Sequence, residues 1–153
     1  MTFTVPSVLA FWTSWFAMSI AMAQLSGWRG LAGRFGVTSS SSGRRYWLAS
    51  GAVSQWPWLP IQYIMTFVLT VSDEGLRMSV FFPMRLLHAP FTIPWSAVSA
   101  VTHGPFLKVF QQTEVVVADR RILIRGRAGK AVFRAWQGYL SRVGAAALAQ
   151  PSA

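Results

Sequence analysis

The chain has 153 residues, enough for one domain with a short appendage, and a hydrophobic content of 53% excludes a disordered polymer. Fourteen lysines and arginines against four acidic residues give a net charge of +10, which predicts a surface that meets lipid head groups, nucleic acid or an acidic protein. The absence of cysteine excludes a disulfide scaffold, a thiol nucleophile and a cysteine-based zinc site.

Residues 1–28 contain no ionisable side chain and are predicted to form a hydrophobic helix. Val5 to Leu25 matches the roughly 20 residues that cross the hydrocarbon core of a bilayer. Arg29 and Arg34 follow this segment and no basic residue precedes it, so the positive-inside rule places the amino terminus outside. We therefore expect a transmembrane or membrane-associated helix at the inner membrane, with the domain facing the cytoplasm.

Other interpretations fit the same segment. Its serines, threonine and glutamine also suit a helix that packs in a protein core. The tripeptide Ala21-Met22-Ala23 resembles a signal-cleavage site, although no basic residue precedes it. Small residues form a stripe that would allow self-association in lipid: Ala10, Ser14, Ala17 and Ala21.

Residues 29–45 are predicted to be a basic linker rich in serine and glycine. Gly36 to Gly43 supplies the flexible part. Arg44 and Arg45, next to two aromatic residues, fit either a juxtamembrane contact with anionic lipid or the solvated start of a strand.

The stretch from Ile61 onward has a period of two, which predicts a strand over Ile61 to Val71. Asp73-Glu74-Gly75 is a turn signal, and alternation resumes over Leu76 to Phe82. Ile64 and Val68 interrupt the first alternation. These patterns together predict a hairpin over residues 61–82.

The stretch Phe91 to Val101 (FTIPWSAVSAV) is predicted to join two elements around a buried tryptophan. Pro94 lacks a ladder donor, so a strand should end there or lie at an edge. Trp95 is expected to enter the core, with Val98 and Val101 beside it in a short helical turn or a bent strand.

Three further short strands are expected at Phe106 to Gln112, Thr113 to Val117 and Arg121 to Arg125. From Ala128 onward the apolar residues mark one face of an amphipathic helix: Val132, Phe133, Trp136, Leu140 and Val143.

The fold class expected from these elements is α+β, mostly β. A curved antiparallel sheet or partly open barrel over residues 46–147 is capped by the C-terminal helix and preceded by the hydrophobic helix. Residues 148–153 are expected to be a disordered tail.

Several phrases resemble bacterial pleckstrin-homology-like (PH-like) or GRAM-like domains. They are VSDEGLRMSV, FTIPWSAVSAV, ILIRG and KAVFRAWQGYL, and the resemblance covers roughly residues 46–147. The preceding LSGWRGLAGRF is similar to the start of small bacterial membrane-associated proteins. The resemblance implies a curved sheet with a capping helix and says little about activity.

The same resemblance bears on phosphoinositides. PH domains that bind them commonly place basic residues around the first hairpin loop. If that hairpin is residues 61–82, its turn carries Asp73 and Glu74 instead. The sequence therefore favours non-specific attraction to anionic head groups over specific inositide recognition.

Few residues could carry catalysis, and none of them has a partner at the spacing of a metal site or a catalytic pair. There is no glycine-rich phosphate loop and no Gly-x-Ser-x-Gly motif. The sequence therefore predicts a non-enzymatic protein with no cofactor and no metal site. The residues weighed are His88, His103, Asp73, Glu74, Glu114 and Asp119.

The function expected is a membrane-tethered scaffold or lipid-surface module, with anionic lipid as its partner and any protein partner unknown. The alternative is a soluble, basic, nucleic-acid-binding domain whose N-terminal helix packs in its core. Tryptophans concentrated in apolar runs argue against that alternative. The basic residues expected to contact an anionic surface are Arg29, Arg34, Arg44, Arg45, Arg121, Arg125, Arg127, Lys130 and Arg134.

Overall fold

The structure is a computed structural model that describes residues 5–36, 42–56, 59–82, 84–86, 88–106 and 110–148. The elements in chain order are α1 (Val5–Leu25), α2 (Trp28–Phe35), β1 (Arg44–Ser54), β2 (Ile61–Val71), β3 (Gly75–Val80), β4 (Phe91–Pro94), β5 (Val98–Phe106), β6 (Phe110–Val117), β7 (Arg120–Arg125) and α3 (Gly126–Leu148).

The seven strands form one curled antiparallel sheet, a half-barrel with the strand order β4-β3-β2-β1-β7-β6-β5. The predicted α+β class is confirmed. Strand β1 pairs with β2 from Arg44 to Val53, but it pairs with β7 only over Gly51 to Ser54. The first half of β1 therefore separates from β7 and opens a cleft in the sheet.

Helix α3 covers the inner face of the sheet, as its amphipathic pattern predicts. Val132 is buried, and the Trp136 ring lies 6.0 Å from the ring of Trp95. Trp95 is buried as expected, and its Nε1–H donates to the backbone oxygen of Ser72 at 3.0 Å. This hydrogen bond satisfies the indole donor inside the core.

The hairpin predicted over residues 61–82 is confirmed by β2, β3 and the turn between them. It is not the first hairpin, because β1 precedes it and pairs with β2. The acidic turn of Asp73 and Glu74 therefore joins β2 to β3 and is not the first hairpin loop of the sheet. Val98 and Val101 lie in β5, directly after a 3-10 turn at Trp95–Ala97, so the bent-strand option holds.

The strand expected at Phe106 to Gln112 is wrong. Phe106 ends β5 and Phe110 begins β6, and the two strands pair with each other from Phe106↔Phe110 back to Val98↔Val117. The chain reverses direction between residues 106 and 110, so two strands meet where the sequence suggested one.

The linker expected over residues 29–45 is wrong for its first part, which forms helix α2. Gly27 has a φ of 74°, which is left-handed, and this lets the chain turn sharply out of α1. A Cβ at Gly27 would also overlap the Arg120 side chain. Trp28 and Leu31 lie one helical turn apart and are both in the core. The structure does not describe residues 37–41 of the predicted serine run, nor residues 149–153 of the predicted tail.

Helix α1 is long enough and apolar enough to cross a membrane, and only 11% of Ser7–Leu25 is buried. A core helix would be covered along its length, and the described residues cover α1 only in its last third. Among the described residues, the predicted packing of the whole helix in the core is therefore not seen.

Candidate functional site

A buried hydrogen-bond network fixes the corner between α1 and α2. The Tyr63 hydroxyl lies 3.1 Å from Ser26 Oγ and 3.1 Å from His88 Nε2. His88 Nδ1–H donates to the backbone oxygen of Met84 at 3.1 Å, since a carbonyl only accepts. The Trp28 Nε1–H donates to the Ala89 oxygen at 2.8 Å. The corner is thus bonded to β2 and to the segment before β4.

Two titratable groups in this network stay neutral near pH 7. Burial raises the pKa of Tyr63 to about 12, and the hydrogen bond with Ser26 opposes this only in part. Burial lowers the pKa of His88, opposed by the Met84 carbonyl. The Tyr63 hydroxyl joins a serine and a histidine, and all three side chains are buried. Their role here is to fasten the corner.

The last two turns of α1 contact the domain. Ser19 and Ala23 are buried, and Met22 packs against the hydrophobic core. Before Ser19, Trp15 is half-buried and the other described large apolar side chains are exposed. The exposed ones are Val8, Leu9, Phe11, Trp12, Phe16 and Met18.

A second exposed apolar surface lies on the domain itself, and we name it the bulge patch. Its six side chains are between 45% and 69% exposed. They are Trp47, Leu48, Ile64, Met65, Phe81 and Phe82.

Strand irregularities bring the backbones of these residues close together, and Trp47, Phe81 and Phe82 line one cleft. Trp47 and Leu48 form a bulge in β1, because Tyr46 pairs with Leu69 while Ala49 pairs with Phe67. Three residues of β2, from Ile64 to Thr66, lie opposite the single residue Ser50.

Hydrogen bonds from backbone N–H groups fix Met65 and Phe81 in the bulge patch. The Met65 N–H donates to Ser50 Oγ at 2.8 Å. The Phe81 N–H donates to the Thr66 oxygen at 2.7 Å, which places the end of β3 beside the same bulge.

An arginine cleft lies next to the bulge patch. It has a volume of about 200 Å³, and three of its lining side chains are Arg45, Arg77 and Arg85. Thr70 pairs with Arg45 on one side and with Arg77 on the other, so both arginines point to the same face of the sheet. Trp47, Phe81 and Phe82 line this cleft as well. Apolar and cationic side chains therefore share one surface.

A larger cleft opens where β1 separates from β7, and we name it the β1–α3 cleft. Its volume is about 710 Å³, and Arg45, Arg125 and Arg127 line it together with Trp47 and Leu48. The Arg45 guanidinium lies 5.4 Å from the centroid of the Trp47 ring. Because both residues line both clefts, they form the ridge between them.

The nine predicted contact residues are not one site. Arg45, Arg125 and Arg127 meet at the β1–α3 cleft. The others lie apart on the surface: Arg29 and Arg34 on α2, Arg44 at the start of β1, Arg121 on β7, and Lys130 and Arg134 on α3. Arg121 forms an ion pair with Glu114 at 3.5 Å, so its charge is partly compensated.

Two other carboxylates, like Glu114, form ion pairs at the surface. Asp73 pairs with Arg142 at 3.4 Å, and Asp119 pairs with Arg120 at 3.7 Å. The other histidine, His103, contacts Thr113 Oγ1 at 2.8 Å. Among the described residues, no three His, Asp or Glu side chains gather as metal ligands would.

The sequence also points to Arg77 and Arg85 as basic residues for non-specific attraction, but it does not predict that they join Arg45 in one cleft, and it does not predict the bulge patch. Arg77 lies near Arg45 because of the strand register, and Arg85 lies near both because of the path of the segment after β3. No local sequence pattern reveals either arrangement. The patch did leave a signal, because the alternation of β2 breaks at Ile64, where the strand bulges.

No protein-family model, no curated protein and no solved structure matches this chain.

Proposed function

We propose that this protein is a non-enzymatic membrane-surface module. Helix α1 tethers it to a bilayer, and its PH-like domain faces the cytoplasm at the inner membrane. Its arginines attract anionic lipid head groups without selecting one lipid. The observation that carries the proposal is α1, an apolar helix whose first two thirds the described residues leave exposed.

Helix α1 needs an apolar environment from outside the chain. It is apolar on all sides, and a helix of this kind is stable only when protein or lipid surrounds it. The described residues leave its first two thirds exposed, with Phe11 and Trp12 among the uncovered side chains. Burying apolar area is favourable by about 25 cal/mol per Å², so a bilayer would stabilise α1 strongly.

Charge supports the orientation and the lipid preference. Arg29 and Arg34 are exposed on α2, which the buried corner holds directly after α1. Each basic residue near an anionic leaflet contributes about 1 kcal/mol. Arginines at this position therefore favour the side of the membrane that carries anionic lipid and retain the domain there.

The fold is consistent with the PH-like resemblance, since a curled antiparallel sheet capped by a C-terminal helix is what that resemblance implies. The nine basic residues expected to contact an anionic surface do not form one pocket, which supports attraction to anionic head groups without selection of one lipid.

Flotation of the full-length protein with vesicles tests the proposal. The test variant carries Trp12→Asp and Phe16→Asp, two exposed positions in α1. A carboxylate at the centre of a membrane helix costs roughly 2.5–3.5 kcal/mol, so the pair should abolish flotation. The matched control, Ser141→Asp with Ala145→Asp, makes the same charge change at exposed positions of α3 and should float like the wild type.

Salt separates the alternatives. Flotation that survives high salt and is lost in the α1 variant supports the tether. A wild-type chain that fails to float, yet binds RNA with a steep salt dependence, would replace the proposal with the nucleic-acid function. An alkaline wash is less suitable, because above pH 10 an unfolded tyrosine ionises while folded Tyr63, with a pKa of about 12, resists. Such a wash would destabilise the domain itself.

A further inference from the structure

We propose that the domain makes a second membrane contact, separate from α1. The bulge patch enters the interfacial layer of an anionic bilayer, and the arginine cleft beside it binds lipid phosphate groups. This inference rests on the proposed function and names the part of the domain that meets the lipid.

The first argument is that α1 docks directly on the domain. The helix contacts the domain from Ser19 onward, and the described residues before it, 7–18, are mostly exposed. No linker separates the exposed part of the helix from the part that packs on the domain. When the exposed part is in lipid, the domain is therefore held at the level of the head groups, where its exposed side chains meet the interface.

The second argument is the composition of the bulge patch. A contiguous group of large exposed apolar side chains marks an interaction site in a folded domain. Two of the six, Leu48 and Met65, have positive φ values of 53° and 52°. Glycine or asparagine would adopt this conformation more readily, so a long apolar side chain at each bulge requires an explanation other than local backbone preference. Insertion between lipid head groups supplies one.

The third argument is that the patch is joined to the tether. The segment after β3 begins at the patch, where the Phe81 N–H donates to the Thr66 oxygen. It ends at the corner that follows α1, where the Ala89 oxygen accepts from Trp28 and His88 contacts Tyr63. The same short segment thus connects the patch to the helix that enters the bilayer.

The fourth argument is charge, which selects lipid over an apolar protein surface. Arg45 and Arg77 lie on either side of Thr70, about 10 Å apart across two strand spacings. Arg85 joins them, and no carboxylate is among the described residues that line the cleft. Three cations with apolar neighbours match a surface that has phosphates above hydrocarbon.

Site-specific labelling tests the inference, because the chain has no cysteine and each introduced thiol is unique. Full-length single-cysteine variants are labelled with a polarity-sensitive fluorophore and placed in nanodiscs containing anionic lipid. The variants report three regions: Ile64→Cys and Phe82→Cys on the patch, Trp12→Cys on α1, and Ser141→Cys on the exposed side of α3. Spin-labelled lipid then quenches any fluorophore that enters the bilayer.

We expect lipid quenching of both patch labels and of the α1 label, several-fold stronger than at Ser141→Cys. Quenching at the patch should weaken in purely neutral nanodiscs, and it should weaken in anionic ones when Arg45→Gln and Arg77→Gln are added. Quenching at α1 should not depend on these arginines.

Two results would overturn the inference and leave the tether intact. In one, the α1 label is quenched and the patch labels behave like the control. In the other, the patch labels show an apolar environment that lipid does not quench, which means that a second copy of the chain covers the patch. Quenching at none of the four positions would overturn the tether as well.

Discussion

The two long helices, α1 and α3, differ in how much of their apolar surface the domain buries. Helix α1 has 21 residues and α3 has 23, so their lengths are nearly equal. In α3, Val132 and Trp136 are buried against the sheet while Lys130 and Arg134 face outward. In α1 the apolar residues surround the helix and most are exposed.

The distribution of polar residues, more than apolar content, separates these two helices. A helix with one polar face completes a core from inside the chain, because that face can remain in water. A helix without a polar face exposes apolar side chains to water whichever side faces the solvent. The sheet is the partner of α3, whereas the described residues leave the first two thirds of α1 exposed.

The largest effect we predict is the loss of stability when a charged side chain replaces a buried residue between α3 and the sheet. Val132→Asp buries an unpaired carboxylate and should lower the free energy of unfolding by about 4 kcal/mol or more. Phe16→Asp in α1, measured without a membrane, should change it by no more than about 0.5 kcal/mol. Urea unfolding in mild detergent measures both.

Leu140→Asp is the matched control for this comparison, since Leu140 is an exposed residue of α3. It should behave like Phe16→Asp. If Phe16→Asp instead destabilised the protein as much as Val132→Asp, α1 would be packed against protein in solution, and the contrast between the helices would fail.

A smaller effect distinguishes the two tryptophans that fasten the helices. Trp95 contacts α3 through Trp136, and Trp28 fastens the α1–α2 corner, with its ring 4.9 Å from that of Phe91. Replacement of either by alanine should cost about 3–5 kcal/mol, as for buried aromatic residues. Hydrogen exchange should then separate them, because Trp28→Ala should speed exchange first in α2 and Trp95→Ala first in α3.

An unchanged unfolding temperature in Trp95→Ala would mean that this indole is not a core element. Equal acceleration in both helices, in both variants, would mean that the two ends unfold as one unit. Either result would remove the distinction between a fastened corner and a capping helix.

The parts of the fold that the sequence could predict are those in which local pattern and burial agree. The β2–β3 hairpin has a turn signal between two alternating runs, and the apolar face of α3 is buried at Val132 and Trp136, although Leu140 and Val143 farther along that face are exposed. Trp95 could be placed in the core because Pro94 ends the strand before it. In each case, neighbours in sequence determine the environment.

Helix α2 could not be predicted in this way. Gly30 and Gly33 lower its helix propensity, and tertiary contacts compensate, chiefly those of the buried Trp28 and Leu31. The arginine cleft was beyond reach for a different reason. Arg45 and Arg77 become neighbours of Thr70 only through the register of three strands. A single sequence carries no direct record of that register.

The smallest effect we predict is a pH dependence confined to the α1–α2 corner. Burial lowers the pKa of His88 below 6.5, so on acidification the unfolded chain takes up a proton before the folded one. The contribution of neutral His88 to the free energy of unfolding should therefore be complete above pH 6.5. It should decrease as the pH falls from 6.5 toward the folded-state pKa of His88. His88→Gln should remove this part of the dependence, and His103→Gln, at the second of the two histidines, should retain it. Hydrogen exchange should locate the acid-induced loosening in α2 and not in α3. If both helices loosened together, or if His88→Gln kept the wild-type profile, the corner would not be the acid-sensitive part of the fold.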